Sequence, residues 1–480
     1  MKQTIDTLFT EGTVRLASGA QLTIPNALVA APMEANPVTK IPFMSTVEVE
    51  RKSPDDIRLL CDQLLGDKDW LVANYDYKKG SDVVGVGNGI PSPLTFHKIY
   101  AQARGGWGLV FVEATSYRIE HAARKRGLLL NEDTLPYHRK IVAGFRHFAA
   151  DPGQKIMIQL SHAGWCAQKR RTFRNVFAQG ANPPTDEEIT RALDDIRRAA
   201  ALAAEAGYDG VDIKLCHGYG LADWTLEKVR GSNHLDDVAR ALHEAIPLIP
   251  LFKTIRREAG RADFAVGYRF SFFEGIANGW GARFDPSFEG ELARDESMAF
   301  YDIQRDDRLS TWTVQAFTQY TDFVHSSLGI PALTPELTRG TRRGNRSSIV
   351  DHLETANAIY RAMGKVDGER NIPVIVSNLT TGGQAVLYLI AKNRAERVQP
   401  GYVSMGRGSI VNFDYPVQLR DNGRSIRYCS TCMRCISPLL HQETPSGCIY
   451  DPPIKTISRY YQRNRKIGSR ERTNSRRPED

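Results

Sequence analysis

Eight short, continuously apolar runs, each followed by a stretch with helical spacing, constrain this chain more than any other feature. They read NALVAAPM (26–33), WGLVFVEA (107–114), KIMIQL (155–160), DGVDIKL (209–215), FAVGYRF (264–270), DFVHSS (322–327), IPVIVSN (372–378) and QPGYVSM (399–405). Runs without polar alternation predict parallel strands covered on both faces. One connection between them is explicit. Thr185 and Glu188 form a T-x-x-E capping box, and Ile189, Leu193, Ile196 and Ala200 recur at helical spacing. Gly207 then stops the helix before the run at 209. Eight strands separated by helices predict an α/β fold, a (β/α)8 TIM barrel, with an open doubly wound sheet as the alternative. Ahead of the first run, TVRLASGAQLTI predicts a hairpin turning at Ser18–Gly19 and plugging the barrel floor. Residues 48–90 and 275–320 exceed a simple strand–helix connection and are expected as excursions over the active face.

A hydrophobic content of 41% over 480 residues is ample for a large core. No apolar run approaches the roughly 20 residues that cross a bilayer. The opening MKQTIDTLFTEG lacks the apolar segment of a secretion signal, so a cytoplasmic protein without a membrane partner is expected. The net charge of +8 is uneven: nine Lys/Arg and three acids between 455 and 480 give that tail +6. The body is nearly neutral, so no nucleic-acid partner is expected, and the basic tail reads as flexible and solvated. GVGNGIP (85–91) lacks the G-x-G-x-x-G spacing of a dinucleotide loop.

Four of the seven cysteines, Cys429, Cys432, Cys435 and Cys448, lie in CSTCMRCISPLLHQETPSGC. A disulfide knot, a structural zinc and a redox cluster compete for them. Disulfides rarely persist in a reducing compartment. The spacing C-x2-C-x2-C-x12-C is closer to iron–sulfur ligation than to paired zinc knuckles, although four cysteines suit zinc chemically. Cys61, Cys166 and Cys216 are scattered and read as ordinary thiols.

Barrel enzymes place their chemistry at the C-terminal ends of the strands. Those ends carry Met33 and Glu34, Glu113 and Ala114, Gln159 and His162, Lys214 through Tyr219, then Arg269, Asn378 and Arg407. A glutamine that donates and accepts, beside a rigid arginine fork, suits a heteroaromatic ring bearing carbonyls and N–H groups. MGRGS after the last strand suits a phosphate.

These ends resemble those of the old yellow enzyme family of FMN oxidoreductases, the NADH:flavin oxidoreductases. The iron–sulfur branch that contains 2,4-dienoyl-CoA reductase and trimethylamine dehydrogenase is the nearest in pattern. APME resembles A-P-M-T, ARGGWGLVFVEAT resembles R-G-G-x-G-L-I-x-T-E-A, and QLSHAGW resembles Q-L-x-H-A-G-R. AGYDGVDIKLCHGYGL resembles A-G-F-D-G-V-E-I-H-x-A-H-G-Y-L-L, and VGYRFS resembles V-G-x-R-x-S. PVIVSN and SMGRGSIVNFDYP resemble P-V-I-x-x-G-G and G-R-x-x-x-x-D-P-D-x-P. The matches run in family order from about residue 5 to 450. The branch's cysteine pattern, C-x2-C-x3-C-x11-C, spans 19 positions, as does this one, with only the third cysteine displaced.

The resemblance implies that backbone at Pro32, Met33 and Ala114, with Glu34, lies against FMN. Gln159 and Arg269 would bind its pyrimidine edge, and Asn378, Gly406 and Arg407 its phosphate. Tyr219 falls on the family's proton donor, and Lys214 and His217 on the pair that holds the substrate carbonyl. The four cysteines fall on the ligands of a 4Fe–4S cluster. The expected activity is reduction of an activated C=C bond in a small molecule, of enone or enoyl/dienoyl type, with electrons from NAD(P)H or from a separate reductase or ferredoxin. An oxidative amine dehydrogenase or demethylase is the alternative, a zinc-containing nucleic-acid binder the remote one, and a homo-oligomer the expected assembly. The expected organisation is an FMN-binding barrel (1–420), an iron–sulfur segment (421–455) and a basic tail (456–480), without the C-terminal FAD/NAD domain of the large relatives. Several positions depart from the pattern. Lys214 replaces a frequent His, and burial would lower its pKa. Glu34 replaces a small Thr or Cys, where a carboxylate would either alter the flavin or point away. Asn378 and Leu379 replace a Gly pair, a loss that TTGG (380–383) would make good. The family's G-G-S-x-E-N-R is barely visible in RGSNHLDD.

Overall fold

The computed structural model describes residues 6–34, 38–39, 42–75, 89–124, 126–164, 184–276, 278–284, 304–330, 334, 337, 342–343, 346–363, 372–377, 401–421, 426–430, 432, 435, 447–448 and 450–459. Eight strands, one from each apolar run, close a parallel barrel: Leu28–Ala30, Leu109–Ser116, Lys155–Leu160, Gly210–Leu215, Ala265–Phe273, Val324–Leu328, Val374–Val376 and Tyr402–Met405. Closure is made on both sides of the first strand, where Val29 pairs with Leu109 and with Ser404. The strands are buried almost without interruption because helices cover them outside and side chains fill them inside. The fold is a (β/α)8 barrel.

Local chemistry sets the boundaries. The helix Asp186–Ala206 begins at a Thr185–Glu188 capping box and ends at Gly207, whose φ of 90° places it in the left-handed region. The hairpin Gly12–Arg15/Gln21–Ile24 turns around Gly19 (φ 88°), and its turn is tied beneath the barrel. Ala17 N–H donates to Asp322 Oδ1 at 2.6 Å and Ser18 Oγ to the Ala262 carbonyl at 2.5 Å, both just before strand starts. It plugs the floor, as the sequence predicts. At the opposite end a Cβ on Gly220 would fall 2.6 Å from the Gly164 Cα, so two mouth loops touch backbone to backbone.

Two expectations change in their described parts; residues 76–88 and 285–303 lie outside the described residues. The helices Thr46–Arg51 and Pro54–Gly66 do not lie over the mouth; they pack on the outer helices Pro93–Arg104 and Leu135–Phe148. Two contacts hold them there, Tyr137 Oη to the Met44 carbonyl at 2.5 Å and Lys140 Nζ to the Lys52 carbonyl at 2.8 Å. The helix Arg308–Thr318 is an ordinary barrel helix, packed against Leu235–Glu244 and Ser348–Met363. Residues 452–459 are helical across the expected boundary at 455, because Ile454 and Ile457 bury themselves against Leu65, Leu71, Tyr75 and Leu94. The tail from 460 onward, Asn378 and the TTGG stretch lie outside the described residues. Among the described residues no helix is long and apolar enough to cross a membrane.

Candidate active site

The mouth is built from strand ends whose polar side chains are largely buried. Beyond the first strand the chain runs on through Pro32 and Met33 beside the eighth, where Ala31 N–H donates to the Met405 carbonyl at 3.1 Å. The fit is close: a Cβ on Gly406 would meet Met33 Sδ at 2.7 Å. On the second strand the register shifts between Val112 and Thr115, and within that irregularity Ala114 is half-exposed while its neighbours are buried.

A polar layer crosses the barrel from the third strand to the sixth. Gln159 Nε2 donates to Asp212 Oδ2 at 2.7 Å. The other Asp212 oxygen is buried without a hydrogen-bond partner, and the His325 ring lies 3.5 Å from the carboxylate with neither nitrogen satisfied. Arg269 Nη2 donates to Ser327 Oγ at 3.3 Å, while its Nε is buried and unpartnered. Buried donors are normally paired, so an arginine N–H left open beside the mouth fits an absent polar partner. The pyrimidine edge of FMN, with its carbonyls, has that chemistry, and Gln159 and Arg269 are the residues that would hold it.

His217 sits at a φ of 65°. Its Nδ1 lies 2.6 Å from the Gly329 carbonyl and its Nε2 3.0 Å from Ser327 Oγ. The carbonyl requires the proton on Nδ1, so the serine hydroxyl donates to Nε2. Burial, then the Arg269 charge, hold the ring well below the usual histidine pKa, and it is neutral. An Arg269–Ser327–His217–Gly329 chain results, and both ring nitrogens are spent inside the protein.

Glu34 is the centre of the opposite wall, with its side chain only 11% exposed. Its Oε1 accepts from Lys214 Nζ; its Oε2 accepts from Arg124 Nε at 3.1 Å and from the Tyr219 hydroxyl at 3.0 Å. Lys214 Nζ also lies 3.5 Å from the centre of the Tyr219 ring. Burial pushes the Glu34 carboxyl up, but the Lys214 and Arg124 charges and hydrogen bonds outweigh it and bring the pKa down to about 2. Burial alone would lower the Lys214 ammonium; Glu34, with Tyr219 and Cys216 adding, reverses that and raises it. The expected fall at Lys214 is therefore corrected, and Glu34 points in, not away.

Sequence reasoning named Glu113 at its strand end but missed Arg124 and Lys98, whose Nζ donates to Glu113 Oε1 at 3.2 Å and to the Met33 carbonyl at 3.4 Å. Nothing in HAARKRG singles out Arg124 among its basic neighbours. Asp212 carried a usable signal, since a carboxylate inside a continuously apolar strand must find a buried partner.

A cleft lined by Met33, Glu34, Lys98, Glu113, Ile410 and Cys448 joins the mouth to the cysteine segment. Cys435 and Cys448 are buried, Cys429 is half-buried and Cys432 exposed. The thiols lie close enough to act on one another's charge: burial pushes Cys435 up to about 12, Arg407 opposes, and the other three cysteines add to the rise. Cysteine thiolates suit a metal or cluster chemically. Among the described residues no three His, Cys, Asp or Glu side chains converge as a ligand set. Cys61 and Cys216 are buried with raised thiols, in keeping with ordinary core cysteines; Cys166 lies outside the described residues.

Residues 87–321 match the NADH:flavin oxidoreductase / NADH oxidase family. An NADPH dehydrogenase of Listeria monocytogenes is 33% identical over 140 residues, 28% of this chain and 40% of that protein. An NADH oxidase of Thermoanaerobacter brockii is 24% identical over 379 residues, 73% of this chain and 49% of that one. The chain thus spans about half, or less, of the length of these relatives. Among solved structures, a 2-naphthoyl-CoA reductase superposes with a TM-score of 0.60 at 16% identity, over 94% of this chain and 57% of that chain. Histamine dehydrogenase from a Rhizobium species gives 0.58 at 16%, over 94% and 53%. At such identities the likeness establishes the barrel alone.

Proposed function

With residues 87–321 belonging to the NADH:flavin oxidoreductase / NADH oxidase family, we propose that this protein is an FMN-dependent oxidoreductase of the old yellow enzyme type that reduces an activated C=C bond. FMN, when bound, would supply the hydride. Gln159 and Arg269 would hold its pyrimidine edge, the backbone at Pro32, Met33 and Ala114 would lie along the ring, and Gly406, Arg407 and Asn378 would take the phosphate. Hydride addition to a conjugated carbonyl leaves charge on the substrate oxygen, which a fixed ammonium stabilises. Lys214, kept charged by Glu34, suits that role; His217 can share it only by releasing Ser327. Tyr219 would then protonate the neighbouring carbon.

The observation that carries this reading is the buried Lys214 ammonium over the Tyr219 ring, with both side chains bonded to Glu34. Lys214 and Arg124 favour a substrate that becomes negative and disfavour an ammonium, which argues against oxidative attack on an amine. The four cysteines would hold a 4Fe–4S cluster, whose chemistry is one-electron transfer between FMN and a separate reductase or ferredoxin; otherwise NAD(P)H is the direct donor. Anaerobic mixing tests the direction. Oxidation of NADPH or NADH that depends on an added enone or enoyl thioester is expected. Bleaching of the flavin by an amine with no nicotinamide present would reverse the assignment. Iron and sulfide in near four-to-one ratio to protein are expected of the cluster, whereas stoichiometric zinc would replace it.

A further inference from the structure

Glu34 stands where a neutral side chain would leave two buried cations facing a phenol. Arg124 and Tyr219 share its Oε2, Lys214 takes its Oε1, and the Lys214 ammonium lies over the Tyr219 ring. We propose that Glu34 is a positioning residue for Tyr219, accepting its hydroxyl and offsetting Lys214 and Arg124 so that the side chain remains a phenol with a proton to give. This rests on the reading of Tyr219 as proton donor and extends it to a residue that never touches the reacting carbon.

The physical case is a balance of charges. A cation beside a phenol favours the phenolate, and a carboxylate accepting the phenolic hydrogen favours the phenol. Other groups facing Tyr219 leave this balance in place. On its own turn Cys216 is pushed up to about 12 by burial and His217 is held well below its usual range, so both are neutral. Asp223 and Glu274 lie beyond Gly218, whose N–H donates to Glu274 Oε1 at 3.0 Å. Burial raises both carboxyls, Glu274 to about 7. Arg269, next to Lys214 across the strands, adds a further cation. Glu34 is a carboxylate that bonds the phenol directly. When Tyr219 gives up its proton, the O–H electron pair stays on its oxygen, the new C–H bond forms on the substrate, and water restores the phenol.

The test is a pH titration of the Tyr219 ring-carbon NMR signal in the full-length protein as purified, assigned by its loss in Tyr219→Phe. Glu34→Gln is expected to lower the Tyr219 midpoint by at least about one pH unit, roughly a tenfold rise in the ionised fraction at a given pH. Should that variant fail to fold, the comparison is made between Lys214→Met and the Lys214→Met/Glu34→Gln double variant, where the same direction is expected. A midpoint unmoved or raised by Glu34→Gln overturns the proposal. FMN content measured on the same samples separates the two readings: flavin bound with an unmoved midpoint sinks the role of Glu34 alone, whereas a lowered midpoint in protein that refuses FMN sinks the flavin assignment.

Discussion

Tyr219 and Glu34 show what single residues contribute here. In the proposed reading Tyr219 is the general acid, and a positioned general acid is worth roughly 10²–10⁴-fold in rate. Tyr219→Phe is therefore expected to slow turnover of an enone by that order while leaving flavin reduction by NAD(P)H unchanged, which stopped-flow absorbance separates. Glu34 also has a stability signature. Its folded pKa of about 2 lies below the ordinary 4.5, so its contribution is complete above about pH 4.5 and is lost as pH falls toward 2. The corresponding free energy is about 3 kcal/mol. Glu34→Gln is expected to flatten the denaturation midpoint over that window, and an unchanged acid slope would contradict the buried pairing. At this scale the sequence was half legible. The placement of Gln159, Lys214, Arg269 and Tyr219 on or just beyond barrel strands was legible, because the apolar runs mark those strands. The inward turn of Glu34 was not legible, because it depends on Arg124, 90 residues away.

The strands and helices were the clearest part of the sequence. Every apolar run became a barrel strand, since a parallel strand covered on both faces leaves no polar alternation to mislead. The Thr185–Glu188 and Gly207 signals fixed both ends of one helix because caps are local chemistry. The placement of Thr46–Arg51 and Pro54–Gly66 was illegible for the converse reason: the first buries Val49 and the second one apolar stripe, which either the mouth or the outer helix layer would have taken. The capped helix gives a prediction at its own scale. Thr185→Ala is expected to cost about 1 kcal/mol in urea denaturation, with FMN affinity unchanged, since the cap is exposed and its hydrogen bonds run to Glu188 within the same turn. A loss of FMN would show that this element does more than support the barrel.

The whole molecule carries several buried neutral histidines, and these set its response to acid. Burial holds His138 and His352 at about 4 and His162 at about 3, with the charge on His121 also lowering His162. Their unfolded counterparts take up protons near pH 6.5, so unfolding below that pH binds about three more protons and stability falls as pH drops toward 4. The steepest slope is roughly 4 kcal/mol per pH unit. Thermal denaturation between about pH 7 and 4 checks this; a melting temperature flat over that range would contradict the burial of these rings.

The claim on which the rest depends is that the barrel mouth holds FMN, and equilibrium titration of flavin-stripped protein with FMN, followed by quenching of flavin fluorescence, tests it most directly. One FMN per chain is predicted, with affinity weakened at least about tenfold in Arg269→Ala, the loss of a charged hydrogen bond worth roughly 1.5–3 kcal/mol. Protein that is purified without a yellow chromophore and leaves the fluorescence of added FMN unquenched would contradict the account.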